Sequence, residues 1–308
     1  MERTNKGKSL ILFPADYTVL DLETTGYSPI YDEIIEIAAL KVRGGKIVDS
    51  FNSLVKPSGI IGAAVTEHTG ITNEMLAAAP LPADILPAAR DFMGNDIIVG
   101  HNIVFDINFL YDWFIEFKSE PVSNDFVDTL RLARKIYPDF EHHRLADISS
   151  ALEIEAEGFH RALWDCHTTY HCFNAFYKTI SESIGVESFI NSFIKSKSHH
   201  VWGPKTDLRT ITAETTDFDE THPLYGKRCV FTGTLEKMSR EEAAQSVVNI
   251  GGICDNGVTK KTNFLILGNN DYSSGTKTSK HKKAEAYKLA GADIEIIPES
   301  VFYDMLEN

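Results

Sequence analysis

The chain has 308 residues, 43% of them apolar and 24% charged, which is a globular composition and not that of a disordered polymer. Its length suits two domains. No apolar run reaches the roughly 18 residues of a membrane span. Residues 9–13 are too short for a secretory core, so the expectation is a cytoplasmic protein with no membrane partner. The net charge of −14 is uneven: residues 1–181 hold 15 Lys+Arg against 26 Asp+Glu, and residues 182–308 hold 15 against 18. Such a balance argues against gripping a long polyanion by bulk charge, unless bound metals or the second half supply the missing positive charge. The four cysteines (Cys166, Cys172, Cys229, Cys254) form no CxxC pair and read as reduced, structural residues.

In chain order, residues 17–26 (YTVLDLETTG) read as a buried strand. On a strand, residues two apart share a face, so Asp21 and Glu23 point the same way. Two like charges on one buried face repel and lose hydration. Either a hard cation such as Mg²⁺ sits between them, or this strand end faces water. Segments 32–43 and 46–56 flank Gly44-Gly45 as a hairpin. Residues 67–72 form a polar loop, 82–93 an amphipathic helix and 96–100 a short buried strand. His101-Asn-Ile-Val-Phe-Asp106 leads into a helix to about residue 117, where Phe105, Phe109, Trp113 and Phe117 read as a core stripe. A strand at 125–128, a helix over 129–136 stopped by Pro138, and a short helix over 144–152 follow. A long helix then runs from about 160 to 180.

Strands interleaved with helices make an α/β domain around a mixed sheet, with carboxylates gathered at one sheet edge. Residues 182–222 read as a linker, rich in Thr, Asp and Glu after a Ser/Lys/His stretch at 196–202, with a helix over 186–195. The expected division is 1–181, 182–222 and 223–308. The last segment reads as a small α/β unit: a strand at 226–234, a helix over 239–248 with Ser239 and Glu242 as its capping box, a strand at 263–268, a helix over 280–290, a strand at 294–297 and a helix over 298–306.

Asp106 stands at a helix start, where the backbone dipole favours a carboxylate. His160 and Asp165, five residues apart, are roughly 140° apart around a helix. His160 is therefore expected on the loop before the helix, with Asp165 pointing into the site. Together Asp21-Leu-Glu23-Thr-Thr-Gly26, His101-Asn-x-x-Phe-Asp106 and His160-x-x-x-x-Asp165 resemble the three motifs of the DEDDh 3′–5′ exonucleases, the family of the proofreading epsilon subunit of bacterial DNA polymerase III. The resemblance covers about residues 16–180, and Val55-Lys-Pro57 and His68-Thr-Gly-Ile-Thr72 extend it. It implies a ribonuclease-H-like domain in which Asp21, Glu23, Asp106 and Asp165 hold two divalent ions, Mg²⁺ or Mn²⁺, and His160 is the general base. It also implies a terminal-nucleotide pocket lined by Leu22, Thr24, Thr25, His68, Gly70, Ile71 and Asn102. A solvated loop histidine competes as the reading of His68, and a turn or cap residue as that of Asn102. Trp164 and Cys166 flank Asp165 where the family more often has small or acidic residues; neither removes a ligand. Cys166, His167, His171 and Cys172 fall on one helix, where packing and solvent explain them better than a metal does.

Gly226-Lys-x-x-Val-Phe-Thr-Gly233, Gly251-Gly252 and the segment 258–268 (VTKKTNFLILG) resemble a BRCT domain over about 223–306, of the type found singly in bacterial NAD-dependent ligases. Phe302 occupies the region where many such domains carry Trp, which speaks against paired, phosphopeptide-reading behaviour. Residues 260–288 hold seven Lys against two acids, either a solvated face or a phosphate-binding one. By analogy Thr232, Gly233, Arg240 and Lys283 would take a phosphate. The implied function is release of nucleoside monophosphates from nucleic acid 3′ ends. DNA is the expected substrate, with RNA or short oligonucleotides as the alternative. The BRCT unit would bind DNA ends or a replication or repair protein. A non-enzymatic BRCT adaptor with a relic nuclease fold is the competing class. The presence of all five catalytic residues, Asp21, Glu23, Asp106, His160 and Asp165, argues against it.

Overall fold

The motif-bearing strand lies near the middle of a six-stranded sheet in a computed structural model, which describes residues 3, 5–140, 142–155, 160–195, 206–268, 272 and 277–306. Residues 196–202 of the expected linker lie outside these. The chain divides into two units, Asn5–His199 and Met1–Thr4 with His200–Asn308.

In the first unit the strands are β1 (Ser9–Leu10), β2 (Tyr17–Thr24), β3 (Ile34–Arg43), β4 (Lys46–Leu54), β5 (Ile98–Gly100) and β6 (Phe126–Asp128), in the order β1-β6-β5-β2-β3-β4. The sheet is mixed: β2 pairs in parallel with β5 and antiparallel with β3. Gly44 and Gly45 both take positive φ, 56° and 74°, the left-handed pair that a tight hairpin turn requires. Alternate side chains of β2 enter separate cores. Leu20 and Leu22 pack with Leu86, Phe109 and Trp113. Val19 packs with Ala38, Leu40, Phe173 and Phe176.

The helices follow the apolar patterns: α1 (Ala63–Thr69), α2 (Asn73–Ala77), α3 (Pro82–Met93), α4 (Val104–Glu116), α5 (Thr129–Ile136), α6 (Leu145–Ala151), α7 (Ala162–Glu182) and α8 (Val186–Lys195). Two expectations are corrected. The polar stretch expected as a loop from residue 67 is partly helix: α1 runs on to Thr69, where Gly70 in the left-handed conformation ends it. Its neighbours Ile61 and Ile71 enter a small core with Ile35 and Leu76. The long helix begins at Ala162 rather than at about residue 160, and His160, with a φ of 59° outside helical space, sits on the loop before it as the spacing to Asp165 leads one to expect.

The second unit carries β7 (Arg228–Thr232), β8 (Ile253–Cys254), β9 (Phe264–Leu267) and β10 (Glu295–Pro298) in a parallel sheet ordered β10-β9-β7-β8. Among the described residues its helices are α9 (Arg240–Asn249), α10 (Ser279–Leu289) and α11 (Glu299–Leu306). Ser239 and Glu242 form the expected capping box at the start of α9. Leu208, in a short 3₁₀ turn, is buried with Leu224, Phe231 and Phe302.

Candidate active site

The face of β2 that carries Val19 also carries Asp21 and Glu23, and across it lies α7. Asp165, in the first turn of α7, meets them: one carboxylate oxygen from each of Asp21, Glu23 and Asp165 lies within 4.8 Å of the others. Glu23 and Asp165 are each 8% exposed, and Asp21 is half-buried.

Asp106 arrives from the opposite face. Strand β5 pairs with β2 only at Thr18 and Val19 and ends at Gly100, so the flank of β2 beyond that point has no strand beside it. A Cβ on Gly100 would lie 2.8 Å from the Leu20 carbonyl and 2.4 Å from the Ile103 side chain, so only glycine lets the chain turn this closely into α4. Asp106, in the first turn of α4, then accepts the Leu22 backbone N–H at 3.0 Å. His101 is a locking residue, with its ring nitrogens 3.1 Å from Thr129 Oγ1 and 3.0 Å from the His143 carbonyl. Burial pushes its pKa down to about 3. Asn102 has φ 57°, and its N–H donates to Asp128, which also caps α5.

The electrostatics follow from burial and like charge. Loss of hydration, then Asp165, Asp106, Glu23 and Glu36, hold the Asp21 carboxyl well above its usual range. Burial and then Asp165 push Glu23 up to about 8, against which Arg161 acts. Burial raises Asp165 to about 7, although the His160 and Arg161 N–H groups favour its anion. Burial also raises Asp106, against the N–H donated by Leu22. The donors are all carboxylate oxygens, and their charges repel; such a set fits hard divalent cations. Cys166 and Cys172 are buried thiols, and Cys166 donates to the Ala38 carbonyl at 3.4 Å. His167 and His171 instead line a cavity of about 540 Å³ with Ile154, Glu155, Trp164 and Thr168, which includes none of the four carboxylates.

His160 sits on the loop before α7, and its backbone N–H donates to Asp165 Oδ2 at 2.9 Å. Its ring lies against that of His68 from α1 in a tilted arrangement, centroids 3.9 Å apart and planes at 34°. Loss of hydration, and then the neighbouring His68, hold its pKa below the ordinary value. The other pocket residues scatter. Leu22 and Ile71 are in cores. Thr24 Oγ1 donates to the Gly26 carbonyl at 2.7 Å, and Thr25 Oγ1 accepts from Glu33 N–H at 2.9 Å. Gly70 is exposed at the end of α1.

Three site residues escape sequence reading. Glu36, 1% exposed, lies directly across from Glu23 in the β2–β3 register and is held by Arg161. Asp128 stands behind Asp106, its own carboxyl raised by burial to about 6. A lone glutamate inside the apolar run IIEIAAL was the available signal for Glu36. Its partner was not visible.

In the second unit, Thr232 Oγ1 lies 2.9 Å from Thr278 Oγ1, and the Gly233 carbonyl accepts from Arg240 at 2.6 and 3.1 Å. Lys283 is exposed, with its ammonium 5.6 Å over the Tyr287 ring. Lys280 donates to the carbonyl of Phe231, the chain neighbour of Thr232, at 2.8 Å.

The exonuclease family RNase_T matches residues 18–173, and the BRCA1 C Terminus (BRCT) domain family matches residues 220–301. The chain is 44% identical over 158 residues to the PolC-type DNA polymerase III of Oceanobacillus iheyensis, covering 51% of this chain and 11% of that protein. It is 28% identical over 313 residues to the PolC-type DNA polymerase III of Latilactobacillus sakei subsp. sakei, covering 96% of this chain and 20% of that protein. The chain thus spans between about a tenth and a fifth of the length of these relatives. E. coli exonuclease I in complex with a dA16 oligonucleotide superposes with a TM-score of 0.50 at 19% identity, over 60% of this chain and 44% of that one, which shows a shared fold. Among the described residues no helix is long and apolar enough to cross a membrane.

Proposed function

We propose, from the premise that the chain belongs to the RNase_T exonuclease family, that it is a 3′–5′ exonuclease of the DEDDh type that releases nucleoside monophosphates from DNA 3′ ends. The observation that carries this reading is the convergence of Asp21, Glu23 and Asp165 within 4.8 Å, one hydrogen bond away from His160. Asp21, Glu23, Asp106 and Asp165 would hold two divalent ions, Mg²⁺ or Mn²⁺. Such ions, when bound, stabilise charge on the attacking and leaving oxygens of a phosphodiester.

The chain's own residues do the rest. Its depressed pKa leaves the His160 imidazole neutral near neutral pH, so a ring nitrogen can take the proton of the attacking water. Thr24, Thr25, His68, Gly70 and Asn102 would border the terminal nucleotide, with Leu22 and Ile71 shaping that region from the cores behind it. A ligase-type BRCT unit would add a phosphate contact at Thr232, Gly233 and Arg240, with Lys280 or Lys283 as the cation. That contact would recruit DNA ends, or the unit would bind a replication or repair protein.

The test is a set of single-stranded DNA and RNA substrates, labelled at the 5′ end, with Mg²⁺, Mn²⁺ or EDTA. DNA is expected to shorten one nucleotide at a time from its 3′-hydroxyl, with closed circles intact and EDTA stopping the reaction. Asp165→Ala should abolish cleavage. Wild-type rates in that variant, or cutting of circles, would overturn the reading.

A further inference from the structure

Three consecutive residues at the start of α7 are tied down by two buried carboxylates. His160 N–H donates to Asp165 Oδ2 at 2.9 Å. Arg161 grips Glu36 with a two-pronged contact, Nε to Oε2 at 3.0 Å and Nη2 to Oε1 at 2.8 Å. Ala162 N–H donates to the same Oε2 at 3.1 Å. Between the first and third of these bonds the backbone of His160 is held at φ 59°, a conformation that a non-glycine residue keeps only when its surroundings impose it.

Glu36 stands where a carboxylate has little reason to be. It is 1% exposed and lies cross-strand from Glu23, so it adds a fifth negative group to an already acidic cluster. Like charges directly opposite on adjacent strands destabilise a sheet. A neutral residue here would remove that repulsion, but it could not accept both prongs of a guanidinium and a backbone N–H together. A planar, two-pronged contact fixes direction as well as distance.

We propose that Glu36 and Arg161 are a positioning pair that anchors the His160 loop to β3 and so sets where the imidazole stands relative to the carboxylate cluster. The pair touches no reacting atom and acts through His160. Its role in turnover rests on the reading of His160 as the general base. The anchoring itself does not.

The test uses the full-length chain carrying Arg161→Gln and Arg161→Lys, each alone and combined with His160→Ala, on single-stranded DNA with Mg²⁺. Arg161→Gln is expected to lower kcat about 10–100-fold, the usual cost of losing an outer-shell partner, with KM nearly unchanged. Arg161→Lys restores only part, because an ammonium lacks the fork. In the His160→Ala background, Arg161→Gln costs nothing further, as expected of residues acting as a unit. Independently, backbone amide exchange by NMR should show the His160 amide at least about tenfold less protected in Arg161→Gln, with the sheet amides of Val19 and Leu40 unchanged. Full additivity of the two losses, or an unchanged His160 amide, overturns the proposal. A wild-type rate in His160→Ala alone removes the general-base reading, and the amide measurement then decides the anchoring by itself.

Discussion

Protons and divalent cations compete for the same carboxylates. Glu23 and Asp165 titrate near 8 and near 7 in the folded chain, and both lie near 4 when unfolded. Between those values the folded state holds more protons than the unfolded one, so metal-free stability falls as pH rises through this window. The Tm of the EDTA-treated protein is therefore expected to fall between about pH 5 and about pH 8. Asp21→Asn should flatten that fall by removing one repelling charge, and Mg²⁺ should restore Tm more strongly at the upper end. Calorimetry across this range checks it; an identical slope in the variant refutes the repulsion argument. For His160 the sign is opposite. As the proposed general base it would act in its neutral form, so the rate should fall as pH drops through its pKa. His160→Ala should lose roughly 10²–10⁴-fold in rate together with that acidic limb. An unchanged pH–rate profile assigns the base elsewhere.

At the scale of elements, the site depends on where strands stop. Because β5 ends at Gly100, Asp106 can replace a missing strand neighbour of Leu22. Gly100→Ala would drive a methyl group into the Leu20 carbonyl and the Ile103 side chain. Overpacking of this kind typically costs about 1–3 kcal/mol. Urea unfolding should show that loss, and activity should fall further than stability does, because the start of α4 carries Asp106. A variant of wild-type stability and activity would show that the turn has slack. The long strands and helices were legible from periodicity, as was the shared face of Asp21 and Glu23. The two-residue strand β1 was not, because two residues carry no period. The helix α1 was hidden because its pattern is short and its exposed face polar.

On the scale of the whole chain, the first 181 residues carry 11 more acids than bases, while the Lys-rich stretch at 260–288 is locally positive. Phosphate contacts release counterions, so binding to DNA ends should weaken with salt. Lys280→Glu, beside Thr232, is expected to lower the slope of log affinity against log salt by about one unit. Lys283→Glu, on the open face of α10, should do so less. Fluorescence anisotropy over a salt series in EDTA measures both. If neither variant differs from wild type, the basic stretch is a solvated face and the BRCT unit engages a protein instead.

What the sequence determined by itself is what depends on near neighbours. A strand period of two put Asp21 and Glu23 on one face. The Ser239–Glu242 spacing placed a capping box, and the five-position offset from His160 to Asp165 kept the histidine off the helix face. Tertiary structure alone decided which distant groups complete the site. Leu22 and Asp106 are 84 residues apart, and Glu36 and Arg161 are 125 apart. His68 meets His160 only because the fold brings the end of α1 beside the loop before α7. Such pairings are set by strand order and helix packing, so no local pattern marks them. The directions of the pKa shifts belong with them, because burial and opposing charges exist only once the chain has closed around the cluster.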